Sequence, residues 1–173
     1  MAIDKIQSES INLADNFAFT GTVTGAGGVN SEMFLAVNSA AQSFAHNTNA
    51  KVQFNTEVFD TGNNYDPSTN YRYVVPSDGK YFISAQIRMN GGGNTLTLGL
   101  FELYLNGSGK VRSYWNTSDG ETAMMNNLSI ILDLSANDYL EMYYQNNNNP
   151  NASTMAYSSS NYNNWFMGYK MNT

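Results

Sequence analysis

The chain has few side chains that could act as nucleophiles, general bases or metal ligands. His46 is its only histidine, and it has no cysteine. These counts exclude, within one chain, a histidine-dependent triad, a multi-histidine metal site and a thiolate nucleophile. We interpret His46 as a surface or edge residue; the alternative is that a threefold assembly gathers three copies of it on one axis.

Glu102 and Glu141 are the best placed carboxylates for acid and base chemistry, because both fall in predicted strands and could face each other. A glycosidase needs two such carboxylates across a cleft. Nothing in the sequence marks a cleft, so placement at a sheet surface is favoured. The nucleophile-elbow, phosphate-loop and dinucleotide-binding glycine motifs do not occur either. The sequence therefore predicts a protein that is not an enzyme and needs no cofactor.

Calcium is the one metal for which the sequence offers candidates. Asp60 and Asp66 lie within seven residues that also contain two asparagines, a density of oxygen ligands that calcium could use. The spacing is not that of an EF-hand. The alternative, which we favour, is that both aspartates cap turns through hydrogen bonds to the backbone.

Aromatic residues are the candidates for recognition. Most of the tyrosines and tryptophans are expected in the core or at a subunit interface, but Tyr157 and Tyr162 lie in an Asn/Ser-rich loop, residues 146–164. Aromatic faces on loops suit contacts with sugars. These two residues are the predicted surface-recognition candidates, with a host-surface glycan as the expected ligand.

The net charge and the hydropathy pattern argue against two classes of partner, nucleic acids and membranes. The net charge is −6, and the 8 basic residues are scattered, which argues against a nucleic-acid partner. No apolar stretch approaches the ~20 residues of a membrane span, so no membrane insertion is expected. The first ten residues lack the basic and apolar regions of a secretory signal, which predicts a location in the cytoplasm or on an assembled particle.

The elements that would position these residues are strands. Tyr81, Ile83, Ala85, Ile87 and Met89 alternate with a mostly polar set, the pattern of a strand with one buried face. Further strands are predicted at 33–37, 51–54, 96–105, 110–115, 128–134, 139–145 and 164–171. Asn-Gly at 106–107 predicts a hairpin turn, and a slip in the apolar pattern near Gly99 predicts a β-bulge. Periodicity alone leaves a sandwich, a barrel and a jelly roll open.

One stretch resembles the C1q/TNF-like globular domain. KVQFN at 51–55 is similar to the family's Val-x-Phe-Asn strand, and NNYDPSTNYRYVVPSDGKYF at 63–82 is similar to its Tyr-Asp turn and its Pro-x-x-Gly-x-Tyr-x-Phe entry into a central strand. The matching positions are Val52, Phe54, Asn55, Tyr65, Asp66, Pro76, Gly79, Tyr81 and Phe82. LNG at 105–107, LSANDY at 134–139 and the final strand are later landmarks of the same resemblance.

The resemblance implies an all-β jelly-roll sandwich of about ten short antiparallel strands that assembles as a homotrimer, and it carries no active site. Asn70 and Asn137 stand where the family has glycine, and Met167 stands where it has serine. Asparagine tolerates the left-handed conformation better than other non-glycine residues, so the first two differences are mild.

The final strand is apolar on both faces, which predicts that one face fills the core and the other meets a neighbouring subunit. Met167 and Met171 share a face with Trp165 and Tyr169, whereas Phe166 and Gly168 occupy the other. The predicted trimer-interface candidates are Trp165, Phe166, Gly168 and Tyr169.

Residues 1–28 are predicted to be a docking arm with a glycine-rich linker, and residues 29–173 the head. The arm resembles the attachment segments of bacteriophage fibre and head-surface proteins, and its anchoring candidates are Ile3, Ile6, Ile11, Leu13, Phe17 and Phe19. The resulting hypothesis is a virion surface protein that joins a capsid or tail protein through its arm. The alternative is a secreted or surface adhesin of lectin type, located outside the cell.

Overall fold

A computed structural model describes residues 32–91, 95–146, 153–158 and 162–172, and these form strands and turns without any helix. The thirteen strands are β1 (Met33–Val37), β2 (Gln42–Phe44), β3 (Ala50–Lys51), β4 (Thr56–Asp60), β5 (Tyr65–Asp66), β6 (Arg72–Val74), β7 (Gly79–Asn90), β8 (Leu96–Leu105), β9 (Ser108–Glu121), β10 (Ala123–Leu134), β11 (Tyr139–Asn146), β12 (Ser153–Met155) and β13 (Trp165–Lys170). The predicted all-β class is confirmed.

The strands form two sheets in which every pairing between named strands is antiparallel. The seven-stranded sheet has the order β2-β12-β7-β13-β1-β4, with β10 on the other side of β7. The six-stranded sheet has the order β5-β6-β11-β8-β9, with β3 also paired to β11. The chain crosses repeatedly between the two antiparallel sheets, and the arrangement is the predicted jelly roll.

The core lies between the two sheets and is rich in aromatic residues. All five residues of the predicted inward set of β7, from Tyr81 to Met89, are fully buried, so the period-two interpretation is confirmed. Phe34 on β1 stacks on Tyr73 with ring centroids 4.2 Å apart and meets Phe166 edge-on at 4.9 Å. Such ring pairs stabilise a fold beyond the contribution of the apolar area that they bury. One continuous core therefore joins both ends of the described chain.

The predicted hairpin at 106–107 is confirmed. Asn106 and Gly107 both have positive φ, 52° and 77°, and they join Leu105 to Ser108, which are paired residues of β8 and β9. Positive φ at both central residues is typical of a two-residue hairpin turn, whose twist matches that of the strands it joins. The irregularity predicted near Gly99 lies between Leu96 and Leu98, where the β9 partner changes from Glu121 to Asn116.

Other predicted elements differ in extent. The run 51–54 forms a strand only at its first residue, because Val52 and Phe54 turn into the core, where both are fully buried. The turn-rich stretch 60–70 contains the short strand β5. Asn137, which stands where the family has glycine, has a left-handed φ of 72°, as expected. At the second such position, Asn70, the left-handed residue is instead its neighbour Tyr71.

No helix that is long and apolar enough to cross a membrane is present in the part of the chain that the structure describes.

Candidate functional site

The anchoring candidates Ile3, Ile6, Ile11, Leu13, Phe17 and Phe19 lie outside the described residues, as does the predicted boundary near residue 28. The docking arm therefore stays a prediction.

Asp60 and Asp66 hold the turns on either side of β5 through backbone hydrogen bonds. Asp60 accepts N–H bonds from Gly62 at 3.1 Å and Tyr65 at 2.6 Å. Asp66 accepts bonds from the N–H groups of residues 68, 69 and 70, each at 3.0 Å. The N–H of Thr69 above all, with that of Ser68, holds the pKa of Asp66 well below its usual 3.8. Both calcium candidates therefore cap turns, and no group of three carboxylate or histidine side chains suited to a metal occurs among the described residues.

Replacement of Asp66 by Asn should lower the thermal unfolding temperature at pH 7. A depressed folded-state pKa means that the ionised carboxylate stabilises the fold above about pH 4 and that this contribution is lost as the pH falls. The deficit of Asp66→Asn should therefore shrink below that pH. Calorimetry between pH 7 and pH 3 measures it. The control Asp133→Asn breaks an exposed pair with Lys80 and should change little; an equal, pH-independent deficit in both variants would contradict the capping role.

Glu102 and Glu141 lie on the outer face of the six-stranded sheet but are nearly buried there. Each is paired with a cation: Lys51 Nζ lies 2.6 Å from Glu141, and Arg112 Nη2 lies 3.2 Å from both oxygens of Glu102. On the neighbouring strand Tyr104 pairs with Glu141 and Tyr143 with Glu102, and the two tyrosine ring centroids are 4.1 Å apart. Both carboxylates lie on the outer face of the sheet as expected, but they are buried there as ion-pair partners across the strands.

His46 lies beside Asn146 in a parallel bridge at the edge of the sandwich. It is partly exposed, and its Nδ1 has no hydrogen-bond partner in the described part of the chain. Its partial exposure agrees with the interpretation of an edge residue, and the alternative of three copies on one axis stays a prediction.

The structure corrects two of the four interface candidates on β13. Phe166 and Gly168 face the interior: the Phe166 ring is fully buried against Phe34 and Phe54. A Cβ on Gly168 would lie 2.7 Å from Ile83 and 3.0 Å from Phe34, so this glycine allows close packing within the chain and not between chains. Trp165 and Tyr169 face outward, as does Met167.

Those outward residues belong to a larger apolar surface on the seven-stranded sheet. The register places Met33, Tyr169, Phe82 and Ile131 in one row and Phe59, Leu35 and Met167 in the next. We call these seven residues, with Trp165, the outward apolar face. Ile131 is 52% exposed and Phe59 42% exposed, and a groove of about 210 Å3 runs between Phe59, Met167 and Tyr169. An apolar surface of this kind marks an interaction site.

The recognition candidates Tyr157 and Tyr162 line one cleft of about 280 Å3, which we call the tyrosine cleft. Their side chains are 47% and 62% exposed. The other lining residues are Val37, Asn38, Ser39, Thr56, Glu57, Val58, Ser158 and Asn164. The structure therefore brings together the two tyrosines that the sequence singled out.

Two buried asparagines form the base of this cleft. Asn164 Nδ2 donates to Asn38 Oδ1 at 3.0 Å and also to the carbonyl of Ala156. Asn38 Nδ2 reaches the same carbonyl at 3.2 Å. Asn164 Oδ1 accepts the N–H of Arg88 at 2.6 Å, which ties the base to β7. Sequence reasoning missed both residues, because nothing distinguishes them among the many asparagines of this chain.

The residues of the family resemblance hold the sandwich together. Val52, Phe54 and Tyr65 are buried, and the Tyr65 hydroxyl donates to the carbonyl of Phe54 at 2.9 Å. Burial raises the pKa of Tyr65 above its ordinary value, with the charge of Asp66 adding to the effect. Asn55 Oδ1 accepts the N–H of Ser39 at 2.8 Å, which fixes one wall of the tyrosine cleft.

Comparison with known proteins supports this resemblance. The family model of the C1q domain matches residues 33–171. Similar solved structures include the globular domain of zebrafish complement 1qA (TM-score 0.57, 10% identity, covering 81% of this chain and 97% of that one) and Eiger TNF from S. frugiperda (0.59, 12%, 81% and 90%). Murine APRIL is also similar (0.57, 14%, 81% and 98%). No curated protein sequence matches significantly.

The identities to these structures are low, so they show the fold alone, whereas the family model covers most of the chain. The residues of the match include β1, the buried β5 turn, the central strand β7 and the final strand β13. From Met33 to Met171 the chain therefore belongs to the C1q domain family, a family of trimeric, non-enzymatic domains.

Proposed function

We propose that this protein is a non-enzymatic virion structural protein, a capsid decoration or fibre head, that displays a homotrimeric C1q-like domain on the particle surface. The observation that carries the trimeric assembly of the head is the outward apolar face. An isolated sandwich needs one buried face per sheet, and this sheet presents tyrosine, phenylalanine, methionine and isoleucine on its second face. Association of three copies through that face buries it.

The virion assignment is supported by the composition of residues 1–28. Six large apolar residues occur there without helical or strand periodicity, and four glycines follow between residues 21 and 28. A flexible glycine-rich connection allows an arm to dock independently of the head. Such an arm suits attachment to a capsid or tail protein.

Deletion of residues 1–28 should leave a folded, soluble head that no longer joins its particle. Particles are purified by density gradient from cells that produce either the full chain or the truncated chain, and the head is quantified by immunoblotting. We expect occupancy to fall to background for the truncated chain, while its far-ultraviolet circular dichroism stays that of a β protein.

A matched control replaces Ile3, Ile6 and Ile11 by Ser in the full chain and keeps the linker intact. Loss of incorporation in this variant assigns the docking to the apolar side chains. Normal occupancy of the truncated head would refute the arm assignment.

The tyrosine cleft favours a second candidate, a secreted or cell-surface adhesin of lectin type. Two exposed aromatic rings at one cleft suit adhesion as well as they suit host attachment by a particle. Cell fractionation separates the candidates: an adhesin remains on the surface of the producing cell or in its medium without particles, whereas a virion protein sediments with them.

A further inference from the structure

We propose that the tyrosine cleft is a binding site for a neutral saccharide. This inference deepens the proposed function and rests on it, since it names what the displayed head would recognise. The cleft volume, about 280 Å3, lies just below the range of roughly 300–1,000 Å3 for small-molecule sites and suits a single sugar ring.

The aromatic component comes from Tyr157 and Tyr162. Tyr157 is 47% exposed and Tyr162 62% exposed, so both rings offer apolar surface to the C–H face of a sugar. Their hydroxyls can also donate and accept hydrogen bonds. Two exposed tyrosine rings share this one cleft.

The lining residues include one anionic side chain and no cationic one. Glu57 supplies a carboxylate, while Ser39, Thr56 and Ser158 add hydroxyls. A carboxylate can accept two hydrogen bonds from neighbouring sugar hydroxyls. A sialic acid, sulfate or phosphate group would face Glu57 without a compensating cation in the lining, so the cleft favours a neutral ligand.

The cleft is also preorganised. Its base is fixed by the hydrogen bonds of Asn38 and Asn164, and one wall by the bonds from Ser39 N and Oγ to Asn55 Oδ1 at 2.8 and 3.1 Å. The bonds at the base join segments more than 100 residues apart in sequence, since Asn38 and Asn164 are 126 residues apart. A site that is rigid before binding loses less entropy when the ligand arrives.

The tyrosine cleft borders the outward apolar face but shares no residue with it: Val37 of the cleft is the pairing partner of Trp165 of the face. A trimer whose contact is limited to the rows of Met33 and Leu35 would present three clefts. Three weak sites on one head raise the avidity for a glycan-coated surface without any new contact.

The test measures binding of the purified full chain to an array of oligosaccharides, in which neutral glycans ending in hexose or N-acetylhexosamine are matched with their sialylated and sulfated forms. We expect binding to neutral glycans that changes little between low and physiological salt. Tyr162→Ala and Tyr157→Ala should each weaken it about tenfold, as truncation of an aromatic contact residue does.

Tyr114→Ala is the matched control, because Tyr114 is 56% exposed but lies on β9, away from the cleft. It should bind as the unmodified chain does. Three results would overturn the proposal: binding to no glycan, preference for the anionic forms, or equal losses in all three tyrosine variants. A salt-sensitive interaction with lysine-containing peptides that Glu57→Gln abolishes would also overturn it. None of these results depends on particle incorporation, so the failure of this inference is distinguishable from that of the virion role.

Discussion

Phe82→Asp should convert the homotrimer into folded monomers. Phe82 lies on the central strand β7, in the middle of the outward apolar face, with its ring centroid 5.3 Å from that of Tyr169. A carboxylate placed there loses its hydration without gaining a partner when a second subunit covers it. In the free monomer the same carboxylate remains in water, so folding is affected much less. Analytical ultracentrifugation should give a species near 19.1 kDa for the variant and near three times that mass for the unmodified chain.

The matched control is Tyr114→Asp, an equally drastic exchange at an exposed aromatic residue of the other sheet. It should leave the trimer intact. Ile131→Asp, in the same row of the face as Phe82, should dissociate the trimer as Phe82→Asp does. A trimer that survives both Phe82→Asp and Ile131→Asp would show that the subunits meet through another surface.

The parts of the fold that the sequence could predict depend on patterns within a few residues. The alternation of β7 and the Asn-Gly turn after β8 both concern neighbours along the chain, and the structure confirms both. Backbone sterics and the period of a strand determine such features wherever the strand lies. The family resemblance then selected the jelly roll, which periodicity had left open.

The orientation of the final strand could not be predicted in the same way. Its two faces are both apolar, so periodicity separates Phe166 and Gly168 from their neighbours without showing which set faces the core. That choice depends on β1 and β7, which flank β13 on either side. Phe82 could be noticed in the sequence, because it is a large apolar residue in an otherwise polar outward set. A single exposed phenylalanine is common, however, so only the structure shows that it belongs to an apolar face.

The tyrosine cleft, too, could be predicted only in part from the sequence. Tyr157 and Tyr162 were predicted for recognition because they are aromatic residues in a polar loop, and the structure places both at one cleft. Its base could not be predicted, because Asn38 and Asn164 meet only after β1 and β13 have paired. Glu102 and Glu141 fall on one face as considered, but their cations, Arg112 and Lys51, come from two different neighbouring strands.

The second large effect is expected at Phe166, and it should be a loss of folding and not of assembly. Phe166 is fully buried among Phe34, Phe54 and Tyr65. Truncation of a buried phenylalanine to Ala costs about 3–5 kcal/mol, from the lost burial and from the cavity that remains. This is a large part of the 5–15 kcal/mol by which a typical domain is stable. Phe166→Ala should therefore shift the denaturant midpoint strongly, and Phe166→Asp should give no soluble folded protein.

Protein concentration separates this effect from a defect in assembly. A variant that only weakens subunit contacts unfolds at a midpoint that depends on concentration and approaches that of the unmodified chain when the protein is concentrated. Met167→Ala, one residue away on the outward face, should behave in that way. Phe166→Ala should keep its deficit at every concentration, because the cavity exists within each subunit. If its deficit disappeared at high concentration, Phe166 would belong to the subunit contact after all, and the inward orientation of alternate β13 residues would be wrong.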